Sequence, residues 1–193
     1  MGKERLMAFT DAVLAIIMTI LVLELEKPEA ATLEALWALK ENFFAYALSF
    51  FWLGTMWVNL HNEWHDVTCI SKSVVWWSVV LLFFSSLIPY AIRFVNVDYN
   101  SGVTQGFYGI MVLLVTFSNV GLSRALEKAN HHENEVKTDI ANSRKRLYLD
   151  IGIKVAALAI TFTVYPSAML ISVLVTMLLM MIPARRKARE AEN

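Results

Sequence analysis

Six stretches of this chain are apolar at almost every position, at residues 6–25, 43–61, 73–95, 103–122, 147–164 and 167–182. A helix that crosses a bilayer needs about 20 such residues, within a range of roughly 17–25. The last stretch is the shortest, but residues 169–182 hold no charge. In hydrocarbon only helices and closed barrels satisfy their own backbone. A barrel strand alternates apolar and polar over about 10 residues, and these stretches do not alternate. The expectation is an all-α, polytopic membrane protein in which one domain, residues 1–193, carries six transmembrane helices.

Composition agrees. The chain is 57% apolar and 18% charged, against about 25% charged in soluble domains. Seventeen Lys and Arg balance seventeen Asp and Glu, which argues against a nucleic-acid partner. Its Phe, Trp, Leu and Ile content excludes a disordered chain. A lone Cys69 rules out an intrachain disulfide framework or a multi-Cys metal cluster. The first span keeps Asp11 inside its apolar run and is followed by Glu26, Lys27 and Pro28, unlike a cleavable signal peptide.

Orientation follows the Lys and Arg. Six spans put both termini on one side, with thirteen of the seventeen cations, including Lys3, Arg5, Lys72, Arg124, Arg144 and Arg185. The other side keeps Lys27, Lys40 and Arg93. Both termini are therefore expected in the cytoplasm of a multi-pass cell-membrane protein. Lys154 falls within the fifth span, four residues after Asp150, to pair with it or snorkel. Residues 28–41 read as an outer amphipathic segment, and 123–146 as a polar inner loop, helical in part.

An acid inside a spanning helix is a functional or network site by default, which singles out Asp11. At 100° per residue, Ile20, Leu23 and Thr19 lie within about 60° of Ile16, whereas Asp11 and Thr10 lie about 140° and 120° away. One face is thus apolar with a single hydroxyl. It meets lipid, or it is left for a symmetric axis while Asp11 turns inward. Trp57, Asn59 and His61, near the end of the second span, stand at the depth of Asp11 and can hydrogen-bond a carboxylate. Asp11 either ties helices together or carries chemistry.

Other signals are weak. His61, Glu63, His65 and Asp66 lack the His-Glu-x-x-His spacing of zinc proteases, and a solvated helix end explains them better than a metal. Thr104-Gln105-Gly106-Phe107-Tyr108-Gly109 resembles a potassium filter but has one residue too many and no preceding pore helix. Gly102, Gly106 and Gly109 suit helix packing better. Nucleophile-elbow, phosphate-loop and dinucleotide motifs are missing, so neither an enzyme nor a cofactor is expected.

Arg5-x-x-x-Phe9-Thr10-Asp11, opening the first of six spans, resembles the Arg-x-x-x-Phe-Ser-Asp signature of the prokaryotic transmembrane protein 175 family. That family is similar to the endosomal and lysosomal potassium channels of animals, which carry two six-helix units. Thr10 replaces Ser but keeps the hydroxyl. Ile16, Thr19, Leu23 and Glu24 sit where the family has similar residues. Trp57-Val58-Asn59-Leu60-His61 is similar to its Trp-x-Asn-His-His, with Leu60 departing, and 76–89 resembles its third helix.

The resemblance implies a homotetramer without a standard filter loop, preferring potassium to sodium. Its pore would be lined by four first helices through Ile16, Thr19, Ile20 and Leu23, with an Ile16 ring as a hydrophobic gate. Arg5, Phe9, Thr10, Asp11, Trp57, Asn59 and His61 would form an interhelical network, with Glu24 at the outer mouth. Its partners would be a second copy of itself, the bilayer and permeant potassium. Apart from the resemblance, a proton-coupled secondary transporter using Asp11 and His61, or a membrane scaffold, remains open.

Overall fold

A computed structural model describes residues 2–65, 67–131 and 134–181. Among them all regular structure is helical: α1 (Lys3–Ile20), continued by a 3₁₀ turn (Leu21–Glu24), α2 (Leu33–Ala38), α3 (Lys40–His65), α4 (Lys72–Ser86), α5 (Ile88–Val97), α6 (Gly102–Ala129), α7 (Asn134–Thr163) and α8 (Ala168–Met181). Four stretches are long and apolar enough to cross a membrane, namely Lys3–Glu24, Lys40–His65, Lys72–Val97 and Gly102–Ala129. Ala168–Met181 is apolar but shorter. α7 has the length, yet its first half is rich in charge and its apolar half carries Lys154. Asp66, Ile182 and the cationic tail at 185–189 lie outside the described residues.

Local chemistry sets the boundaries. Ser71 and Ser101 cap α4 and α6 by accepting from the backbone N–H groups of Val74 and Val103, and Thr32 accepts from Ala35 to start α2. The third apolar stretch, expected as one helix, breaks at Leu87, because Pro89 lacks the N–H that a continuous helix would use and is tolerated only in the first turn of a new one. The 123–146 segment is mostly helix. α6 runs to Ala129 and α7 starts at Asn134, since a helix of 28–30 residues, at about 1.5 Å per residue, outruns a hydrocarbon core of about 30 Å.

α6 is the central post, packed against α4, α5, α7 and α8. Its glycines allow close approach. A Cβ on Gly121 would meet the Trp77 ring at 2.5 Å, and one on Gly106 would meet Phe162 at 2.2 Å. The potassium-filter look-alike is therefore ordinary helix, with Tyr108 and Gln105 buried and the Gln105 amide donating to Tyr99 O at 2.8 Å.

α7 is held through charge. Lys154 is fully buried, its Nζ 2.7 Å from Asp150 Oδ2, 3.2 Å from Thr116 Oγ1 and 5.0 Å from the centre of the Trp52 ring. Of the two expected fates for Lys154, it pairs and does not snorkel.

Candidate functional site

α1 touches the bundle along one stripe. Leu6, Thr10, Leu14, Ile17 and Leu21 are buried at helical spacing against α3, α4 and α5. The opposite face carries Ile16, Ile20 and Leu23, 57%, 39% and 76% exposed. Exposed Thr19 shares it, and Phe9 and Arg5 continue it toward the N-terminus. A contiguous exposed apolar face on a helix this hydrophobic calls for lipid or protein to cover it.

The Thr19 hydroxyl donates to the carbonyl of Ile16 at 2.8 Å. Its hydrogen is thereby used within the helix, and its lone pairs remain to accept from, or coordinate, what passes. The same back-bonding loosens the helix, and one residue past Ile20 the chain tightens into the 3₁₀ turn that ends at Glu24.

Between these two faces stands Asp11. It is exposed in the single chain, and the indole N–H of Trp57 donates to its Oδ1 at 2.8 Å. The Trp57 ring in turn lies 5.9 Å from that of exposed His61, one turn along α3. Met7, Thr10, Asp11, Trp57, Leu60, His61 and Trp64 line the small crevice where the helices meet. The remaining predicted members stand elsewhere. The Thr10 hydroxyl donates to Leu6 O at 2.9 Å. Asn59, two residues and so about 160° round the helix from Trp57, turns away and its Nδ2 approaches Met180 Sδ at 3.9 Å. Arg5 and Phe9 are exposed, and no ion pair joins Arg5 to Asp11 among the described residues. Lys3 Nζ donates to His65 O at 3.1 Å, so the start of α1 lies at the end of α3.

At the far end of α1, the Glu24 carboxylate is 3.9 Å from Arg93 Nε, and the Glu24 carbonyl accepts from Asn96 Nδ2 at 2.9 Å. Both partners lie on α5. Sequence reading missed them because nothing in the pattern says which helix packs beside which.

A second polar feature lies inside the bundle. A cavity of about 40 Å³ between α3, α6, α7 and α8 is lined by Asn59, Glu63, Asn119, Ser143 and Asp150 among others. Ser143 Oγ donates to Glu63, and Arg144 pairs with Glu127, which holds that guanidinium above its ordinary value. Glu63 Oε2, Asn119 Oδ1 and Asp150 Oδ1 are buried without protein partners among the described residues, and the cavity has room for water to satisfy them. Among the described residues there is no group of three or more metal-ligating side chains.

A helical bundle with one of its long apolar helices left exposed along a full face defines a membrane protein of the helical-bundle class. Comparison with known proteins places it further. Residues 5–89 match the family described as endosomal/lysosomal potassium channel TMEM175. The chain is 31% identical over 186 residues, 96% of both chains, to a protein named a potassium channel in Chryseobacterium sp.. It is 26% identical over 135 residues, 66% of both chains, to a potassium channel of Streptomyces collinus. Its fold matches the crystal structure of a lysosomal potassium-selective channel TMEM175 homolog from Chamaesiphon minutus with a TM-score of 0.74, over 93% of this chain and 94% of that one, at 24% identity. The chain belongs to the TMEM175 family.

Proposed function

We propose that the protein is a cell-membrane potassium channel that prefers potassium to sodium, in which four copies set their α1 helices around a central axis. The observation that carries this reading is the exposed face of α1, with Ile16, Thr19, Ile20 and Leu23 on one side and the buried stripe on the other. Six spans and cytoplasmic termini accompany it. The Lys/Arg asymmetry supports that orientation, and α7 reaches the bilayer with its charges paired inside the bundle.

The mechanism is physical rather than chemical. A ring of four Ile16 side chains is narrow and apolar, and such a constriction stops conduction by shedding water. Rotating or bending α1 widens the ring, and the 3₁₀ turn that follows gives its outer end a place to yield. An ion crossing the ring loses part of its hydration. Potassium holds its water less tightly than sodium and crosses at lower cost. Thr19 oxygens, with their hydrogens committed to Ile16 O, replace some of that water. The Asp11–Trp57 bond braces the inner end of α1. Against the transporter alternative, the Asp11 carboxylate is bonded to the indole of Trp57, and an indole N–H does not relay protons in the accessible pH range.

The test is the reversal potential of the purified protein in a planar bilayer with potassium on one side and sodium on the other. A shift toward the potassium equilibrium value is expected. Reversal at zero, or no current with pH-driven solute flux in liposomes, overturns the reading.

A further inference from the structure

α5 is a separate helix because the chain breaks before Pro89, and the break lets it lean on the last turn of α1. Ile88, Ala91, Ile92 and Val95 are buried and fix it to the core. Arg93 and Asn96, three residues apart and so on one side of the helix, both reach Glu24. They act on it differently. Asn96 holds the backbone, closing off a carbonyl that the 3₁₀ end of α1 leaves without an intrahelical donor. Arg93 faces the carboxylate. The Arg93 side chain is 74% exposed and that of Glu24 only 19%, so the guanidinium is the more accessible member of the pair.

We propose that Asn96 and Arg93 are positioning residues for permeation: they fix the outer end of α1 and hold the Glu24 carboxylate partly neutralised beside the pore entrance, setting the local cation concentration there. This rests on the proposed channel. Glu24 follows directly on Leu23, the last residue of the exposed α1 face, so in a four-fold assembly its charge is repeated at the mouth. An acidic ring draws cations, and an arginine beside each acid subtracts from that field.

The experiment compares single-channel potassium conductance in about 0.01 M and about 1 M KCl, where the Debye length falls from about 30 Å to about 3 Å. Arg93→Gln, on an exposed side chain, is expected to raise conductance about two- to fivefold at low salt and to leave it near wild type at high salt. Arg93→Lys restores most of the wild-type ratio. Glu24→Gln lowers conductance at low salt and removes most of the gain from Arg93→Gln. Asn96→Leu, which drops the backbone tie, changes the low-to-high salt ratio without any change of charge. Wild-type currents with ratios unchanged in the Arg93 and Asn96 variants overturn the inference. A wild type that carries no potassium current overturns the channel reading instead.

Discussion

The indole of Trp57 and the carboxylate of Asp11, 2.8 Å apart, join α3 to α1 at the end of the bundle where Lys3 meets the last carbonyl of α3. The bond has a charged acceptor but lies at an exposed edge, so its net worth is about 0.5–1.5 kcal/mol per chain. In the proposed four-fold assembly that modest amount recurs at each copy of α1. Trp57→Phe keeps an aromatic ring on this face of α3 and removes the donor together with part of the ring. It is expected to lower the thermal midpoint of the detergent-solubilised protein slightly and to weaken assembly, read by size-exclusion chromatography with light scattering. Asp11→Ala, which removes the acceptor from every neighbour, should do more. A normal oligomer of unchanged stability would count against the bracing role.

Ile16→Asn places an amide on the most constricted part of the proposed pore. Water then stays in the ring, current rises, and the potassium preference falls. Paired reversal-potential and conductance measurements check this, and unchanged conductance would remove Ile16 from the gate.

Thr19→Val keeps the shape and deletes the oxygen. Potassium selectivity is expected to drop toward that of a bare apolar ring, while Thr19→Ser, which keeps the oxygen and its bond to Ile16 O, retains it. The permeability ratio from bi-ionic reversal potentials reads the difference.

Lys154→Met strands a buried Asp150 carboxylate. Losing one member of a buried pair costs about 3–5 kcal/mol, whereas replacing both by apolar groups is often neutral. Lys154→Met should therefore unfold or express poorly, and the double variant Asp150→Leu, Lys154→Met should recover. Thermal melts of the purified proteins distinguish them.

Gly121→Ala drives a methyl into the Trp77 ring, forcing α4 and α6 apart or the ring out of its place. A loss of about 1–3 kcal/mol is expected from overpacking. Adding Trp77→Leu should return part of it, because the smaller side chain vacates the space.

Much of the fold is legible in the sequence. Apolar runs locate the long helices, and 100° per residue separates Ile16, Ile20 and Leu23 from the stripe that packs. Equal depth and hydrogen-bonding chemistry offer Trp57, Asn59 and His61 to Asp11, and of these the structure bonds Trp57 to it. Depth misled for Asn59, since two residues along a helix reverse direction, and periodicity within α3 already separates it from Trp57 and His61. Where an apolar run stops does not say where its helix stops: α6 and α7 carry charged turns far beyond their apolar cores, and the polar segment 123–146 is mostly helix for that reason. The Asn96–Glu24 bond and the Ser143–Glu63 contact join residues 72 and 80 positions apart. Such contacts depend on which helices end up side by side, and a pattern read along one strand of text carries no such record.

The burial of Lys154 also bears on how the chain is made. On the proposed topology α7 must enter a bilayer with a lysine and an aspartate in its inner half, each adding about 2.5–3.5 kcal/mol at the centre of an isolated helix. Thr116 on α6 and Trp52 on α3 supply the shelter, and both are synthesised earlier. The fifth span is thus a segment whose insertion depends on its predecessors: the ribosome has to deliver α3 and α6 before α7 has somewhere to go.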